Sequence, residues 1–387
     1  MDKIVKAMMN LIGFETLGGS VCLETFADFI NTDYIALYKL SKKHDLAHLV
    51  GDALIKNNLI ADEKIKSAFQ KELFTAVYRY ESINFELDNI KSIFNENEIE
   101  FIPLKGAVIR NYYPEAWMRT SCDIDILVHE ADVDRAADCL VEKGFSKGKK
   151  LYHDISLYSP GGKVHLELHF SLKETKDSTG KLLLKAWEYA YKRDENSFEY
   201  LFTNEFFIYH QLAHISYHFS GGGCGVRPFI DVLLLEKQLN YDKTKLDELL
   251  TEGKIKTFSD AFYHLSRVWF TEEDYSEITK KMETFLLSGG VYGNMENRIS
   301  SELSRNNGKA SNIFRRIWLP YTSLVILYPS LKGKRILQPF YEIKRWFKLF
   351  KKGVLKKSVK ELKANVSMSQ EKVDETKTML KELGLTD

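Results

Sequence analysis

Six residues, Asp123-Ile124-Asp125-Ile126-Leu127-Val128, constrain the chain more than any other stretch. Aliphatic side chains alternate with carboxylates at the period of a β-strand, so Ile124, Ile126 and Val128 face one way and Asp123 and Asp125 the other. One face is built for burial, and the other brings two carboxylates close enough to share a divalent cation. An Asp-x-Asp alone fits a solvated edge strand equally well. Its surroundings favour the cation reading, because Lys163–Phe170 predicts a neighbouring strand on which His165, Glu167 and His169 alternate with Val164, Leu166 and Leu168. Glu167 then supplies a third carboxylate to the same cleft, and three carboxylates suffice for two magnesium ions.

Hydrophobic periodicity on either side is helical. From residue 1 to 97 apolar residues return every three or four positions (Tyr34, Leu37, Leu40; Phe69, Leu73, Val77), and 64–97 lacks Gly and Pro, which predicts one or two long helices there. Residues 98–172 change character: strand Ile99–Leu104, a Lys105-Gly106 break, helix Ala107–Tyr113, the Asp-x-Asp strand, helix Ala131–Lys143 ended by Gly144, and a hairpin around Ser159-Pro160-Gly161-Gly162. After Leu172 the helical period returns to the end. The fold class is α+β: a small mixed-sheet core (98–172) between a helical region (1–97) and a helical domain (173–330), with a basic amphipathic helical tail (331–387).

A length of 387 residues with 44% hydrophobic and 28% charged residues describes an ordinary globular protein, and a net charge of +1 excludes a surface wholly given to nucleic acid. Cys22, Cys122, Cys139 and Cys224 form no CxxC pair, hence neither a disulfide framework nor a zinc knuckle, and reduced cysteines are expected. The start lacks the apolar core of a signal peptide. The most apolar late run, Ile317–Tyr328, is too short to span a bilayer, so no integral membrane segment and a cytoplasmic location are expected.

Upstream of the carboxylates, Lys105-Gly106 follows a strand and opens a helix, where backbone amides and the Lys105 charge can cradle a phosphate. Arg119, four residues before Asp123, brings a guanidinium suited to a triphosphate oxygen. Together, Leu104-Lys105-Gly106, Tyr113-Pro114, Arg119, Asp123-Ile124-Asp125 and Glu167-Leu168-His169-Phe170 resemble the uncharacterised bacterial nucleotidyltransferase family of the DNA polymerase β superfamily. The resemblance implies magnesium- or manganese-dependent transfer of a nucleoside monophosphate from an NTP to an unidentified hydroxyl-bearing acceptor, a small molecule or a protein. It makes Asp123, Asp125 and Glu167 the metal-binding and catalytic residues, with Lys105, Gly106, Arg119 and Arg227 binding the nucleotide. The turn departs from the superfamily pattern: Lys105-Gly106-Ala107 stands where Gly-Ser is usual, which removes a phosphate-binding hydroxyl. Outside 101–172 the match loosens to His44-Asp45-Leu46-Ala47-His48, His214, Arg227 and Asp231.

Other features have plainer readings. His210, His214 and His218 lie on one face of a helix at zinc-chelating spacing, yet the glutamate of HExxH is missing, so packing or hydrogen bonding beside the cleft is preferred. Gly221–Gly225 lacks the order of a phosphate loop and reads as a flexible turn. Arg227 and Asp231, four apart, suggest a helical salt bridge, with base or triphosphate contact as the alternative. Cys122 and Trp117 read as core residues. Leu331–Lys363 carries twelve Lys or Arg against Glu342 and Glu361, a local +10, interleaved with Tyr341, Trp346, Phe347 and Phe350. Such a segment suits an anionic membrane surface, RNA or an acidic partner, or an aromatic stripe packed on the second domain. The rival functions are a nucleotide-binding or partner-binding module that has lost catalysis, and an RNA-associated protein acting through this tail.

Overall fold

The computed structural model describes residues 2–386 apart from 174, 176, 272, 306–313, 315–316 and 350–353. Four helices open the chain: α1 (Lys3–Leu17), α2 (Asn31–Lys43), α3 (Ala47–Lys56) and α4 (Glu63–Glu96). The Gly- and Pro-free stretch forms one 34-residue helix, α4. Asp62 Oδ1 caps it by accepting from the Lys64 and Ile65 amides at 2.9 and 3.1 Å, two of the donors that a helix start leaves unpaired. Near its start Phe69 is buried in a helical core, and near its end Ile83, Leu87, Ile90, Ile93 and Phe94 are buried under the sheet.

The sheet is built from β1 (Phe101–Pro103), β2 (Asp123–Val128), β3 (Ser146–Lys150), β4 (Asp154–Tyr158) and β5 (His165–His169), in the spatial order β1-β2-β5-β4-β3. β2 and β5 pair in parallel and every other pair is antiparallel, so the sheet is mixed, as expected. Between its strands lie α5 (Gly106–Ile109) and α6 (Val133–Glu142). Ile124, Ile126, Val128, Leu166, Leu168, Ile155 and Leu157 form the buried face, covered by α4 and by Val133, Ala136, Ala137 and Leu140 of α6. Burying these branched side chains contributes on the order of 2 kcal/mol each and fixes the register, because a slip of one residue would drive Asp123 and Asp125 into that core.

Two strand regions were not legible in the sequence. β3, Ser146-Lys147-Gly148-Lys149-Lys150, is exposed throughout and has no apolar alternation. After α7 (Ser178–Leu183), the chain expected to be helical forms a short hairpin, β6 (Ala190–Lys192) with β7 (Tyr200–Phe202), which bridges to β1 through Phe101 and Glu199. Helices α8 (Asn204–Ser220), α9 (Arg227–Gln238), α10 (Lys243–Glu252), α11 (Lys256–Phe270), α12 (Glu277–Ser288) and α13 (Met295–Arg305) follow. Five of them, α8 to α12, share the first core with α1 and α3.

The Gly221–Gly225 run is a packed element rather than a flexible turn. A Cβ on Gly223 would sit 3.0 Å from Gly293 Cα, and one on Gly293 (φ +70°) would sit 2.1 Å from the Gly222 carbonyl oxygen, so two glycine loops interlock with no room for side chains. Toward the C-terminus, Tyr341 packs on a small separate cluster of Leu324, Tyr328 and Leu331, not on the α8–α12 core. Phe350, Lys351 and Lys352 lie outside the described residues. Among the described residues no helix is long and apolar enough to cross a membrane.

Candidate functional site

The parallel pairing of β2 with β5 sets Asp123 beside His165, Asp125 beside Glu167 and Leu127 beside His169, so side chains from both strands emerge on the sheet's second face. Three carboxylates and two imidazoles therefore share one cleft. A ligand atom from each of Asp123, His165 and Glu167 lies within 4.8 Å of the others, and the same holds for Asp125, Glu167 and His169.

The carboxylates are not equivalent. Asp125 is buried, and its Oδ1 accepts from Lys105 Nζ at 3.0 Å and from His169 Nε2 at 2.9 Å. Burial alone would raise its pKa; the Lys105 charge and the His169 hydrogen bond outweigh that and hold it far below the usual carboxylate range. His169 also lies 3.5 Å from Glu167 Oε2. Burial pulls the His169 pKa down, but its bonds to Asp125 and Glu167 prevail and raise it, while the His169 bond is the main cause lowering Glu167. Asp123 makes no hydrogen bond or ion pair among the described residues. Its carboxyl is pushed up to about 6 by burial and by the charges of Asp125 and Glu167.

Lys105 and Gly106 form the tight turn between β1 and α5. Leu104 N–H donates to the Asp125 carbonyl at 2.9 Å and Ala107 N–H closes back onto the Leu104 carbonyl at 3.1 Å, which seats the turn beside the carboxylates. Lys105 sits at φ +44°, a strained backbone for a non-glycine residue. Gly106 sits in close quarters, because a Cβ there would lie 3.2 Å from Ser121 Cβ. The helix that follows is a single turn of four residues, so few peptide dipoles align behind this turn.

The two arginines are held by partners distant in sequence. Arg119 makes a two-pronged pair with Asp231 of α9, Nε to Oδ1 at 2.8 Å and Nη2 to Oδ2 at 3.0 Å, and its Nη1 donates to the Thr120 carbonyl at 2.7 Å. Tyr113 Oη donates to the same Asp231 at 2.7 Å. Asp231 is thus taken by Arg119, not by Arg227. Arg227 pairs instead with Asp45, and its Nη1 donates to the Thr120 carbonyl at 2.8 Å. Burial would raise the Asp45 pKa, but Arg227 and the Thr120 hydroxyl hold it low. These two ion pairs fasten the segment entering β2 to α9 and to the 44–48 turn.

His210 and His214 of α8 face the cleft, whereas His218 packs its ring on His214 and Tyr217. Burial and the nearby Lys105 charge lower His214 well below the ordinary imidazole value. A small cavity of about 10 Å³ between the sheet and α8 is lined by Lys105, His153, His169, His210 and His214. Among the described residues the two groups able to hold a metal do not include the α8 trio. Trp117 packs on the core as expected. Cys122 does not: it is exposed, because β2 begins one residue later and the alternation that would bury it has not started.

The donor set fits a divalent cation. Carboxylate oxygens suit Mg²⁺ or Mn²⁺, and His165, which the sequence reading left without a role, adds a nitrogen donor. His165 Nε2 is buried with no hydrogen-bond partner among the described residues. The signal for it was already in the strand, two residues before Glu167.

A family described as uncharacterised nucleotidyltransferase matches residues 31–271, a span that contains the whole cleft. No curated protein and no solved structure matches the chain.

Proposed function

Because this chain belongs to the uncharacterised nucleotidyltransferase family, we propose that it transfers a nucleoside monophosphate from an NTP to a hydroxyl-bearing acceptor, with Mg²⁺ or Mn²⁺ as cofactor. The observation that carries the reading is that Asp123 and Asp125, on one face of the sheet, each belong to a group able to hold a metal, and that both groups share Glu167 of the parallel strand. These three would hold the cation. When bound, it neutralises triphosphate charge and favours in-line displacement at the α-phosphorus.

The protein's own groups have separable tasks. Lys105 and His169 keep Asp125 ionised and fixed in orientation. The Lys105-Gly106 turn supports the phosphate side of the cleft. Glu167, the least buried of the three carboxylates, takes the proton of the acceptor hydroxyl as its oxygen bonds to the α-phosphorus and the bond to pyrophosphate breaks. Arg119 and Arg227 act by holding the 119–123 segment in place. The acceptor is a small molecule or a protein side chain.

The test is thermal shift with ATP, GTP, CTP and UTP, with and without Mg²⁺ or Mn²⁺, in wild type and Asp123→Asn. Stabilisation that needs both metal and one NTP, and disappears in Asp123→Asn, supports the reading and names the donor. No response at saturating nucleotide refutes it and favours a partner-binding module.

A further inference from the structure

Three large apolar side chains in the C-terminal region face solvent: Ile336 is 93% exposed, Phe340 74% and Ile343 48%. Their spacings are four and three residues, the period of a helix. They follow one another along the turn Arg335–Leu337 and the helix Gln338–Leu349 as a single stripe. The helix's other side is occupied. Tyr341 packs on the Leu324, Tyr328 and Leu331 cluster, Glu342 is buried and accepts from Leu319 N–H at 2.6 Å, and Trp346 Nε1 donates to the Ile317 carbonyl at 3.0 Å. The stripe is therefore the outward face of a docked helix.

Charge says what it meets. Residues 331–363 carry twelve cations and two carboxylates, and both carboxylates are consumed internally, Glu342 by Arg345 at 2.7 Å and Glu361 by Arg298 at 2.6 Å. Lys332, Lys334, Arg335 and Lys344, close to the stripe in sequence, are exposed, Arg335 over the Tyr321 ring and Lys344 over those of Tyr328 and Tyr341. Nucleic acid would account for the cations, but not for Ile336 and Ile343, which have no ring to stack on a base. A lipid interface takes aliphatic and aromatic side chains alike while its anionic headgroups meet the lysines. We infer that this face is a peripheral membrane-binding surface, in which Ile336, Phe340 and Ile343 enter the headgroup boundary of an anionic bilayer. The inference does not depend on the nucleotidyl-transfer reading, and the stripe lies outside the residues the family match covers.

The experiment is co-sedimentation of the full chain with vesicles of phosphatidylcholine alone and of phosphatidylcholine with about a third phosphatidylglycerol, at low and high salt. Wild type, Ile336→Ser/Phe340→Ser and Lys332→Gln/Lys334→Gln are compared, with matched thermal midpoints as the control for folding. Wild type is expected to partition onto the anionic vesicles at low salt and to be released at high salt. The serine pair should lose at least tenfold in partition and the glutamine pair more than tenfold, each cation counting about fivefold. Failure to bind anionic vesicles overturns the inference, as does binding that the serine pair leaves unchanged. Salt-sensitive binding to a single-stranded RNA with no vesicle binding overturns it in favour of a nucleic-acid partner.

Discussion

Replacing Asp231 with leucine tests the least visible part of this architecture, the ion pair that fastens the entry to β2 onto α9. Asp231 and Arg119 are both nearly enclosed, with side chains 5% and 12% exposed. Asp231 accepts three hydrogen bonds, from Arg119 Nε, Arg119 Nη2 and Tyr113 Oη. Removing it strands a buried guanidinium and a buried phenol together, and breaking one side of such a pair costs about 3–5 kcal/mol. With a urea m-value on the order of 2–3 kcal/mol/M, the unfolding midpoint should fall by roughly 1–2 M. Tryptophan fluorescence follows this directly, since Trp117 and Trp269 sit in or against the same core. The double variant Arg119→Leu/Asp231→Leu removes the stranded charge and should recover most of the loss, giving a coupling energy of about 2–4 kcal/mol in the cycle. A single-variant cost below about 1 kcal/mol would refute the reasoning, and would return Arg119 to the pool of triphosphate ligands that its sequence position suggests.

Three further outcomes are expected. Because an imidazole suits transition-metal dications better than Mg²⁺, His165→Ala should weaken Mn²⁺ binding, read from the free Mn²⁺ EPR signal, by at least tenfold and Mg²⁺ binding far less; equal losses would remove His165 from the donor set. His44 and His48 are buried and each is pushed down to about 4, mainly by desolvation, from an ordinary 6.5. The unfolded chain thus binds protons that the folded chain refuses. Stability is complete above about pH 6.5 and falls as pH drops toward 4, by about 3 kcal/mol per histidine. His44→Leu forfeits no hydrogen bond, since neither ring nitrogen has a partner among the described residues, and should remove about half of that fall in urea midpoints between pH 7.5 and 4.5. An unchanged pH dependence contradicts the assignment. Gly293→Ala forces a Cβ against the Gly222 carbonyl in a left-handed backbone and should cost more than about 2 kcal/mol, whereas Gly161→Ala, with nothing within 4 Å of the added Cβ, should cost only the roughly 1–2 kcal/mol of its backbone strain.

What the sequence disclosed and what it hid divide along a physical line. β2, the β4–β5 hairpin and α4 were legible because local pattern determines them: alternation against a buried face, a Pro-Gly-Gly turn, and 34 residues without a breaker behind an aspartate cap. The carboxylate constellation was legible for the same reason, since strand period alone aligns Asp123 with Asp125 and His165 with Glu167. β3 escaped because a fully exposed lysine-rich edge has no apolar face to reveal it. The arginine partners escaped because Arg119 meets Asp231 across 112 residues and Arg227 meets Asp45 across 182, distances at which chain spacing carries no signal. The four-residue interval between Arg227 and Asp231 was a true helical spacing that tertiary contacts overrode.

The long helix α4 has a mechanical consequence. At 1.5 Å per residue it is a rod about 50 Å in length, and it is embedded near one end in the helical core and near the other beneath the sheet. Cleft-bearing proteins commonly admit substrate by swinging two lobes about a flexible joint, and this chain has an unbroken strut where the joint would be. Opening by rotation would have to bend the strut or tear it from one core. The strut thus opposes rotation of one core against the other, and adjustment of the cleft at Asp123 falls to side chains such as Lys105 and to the rim.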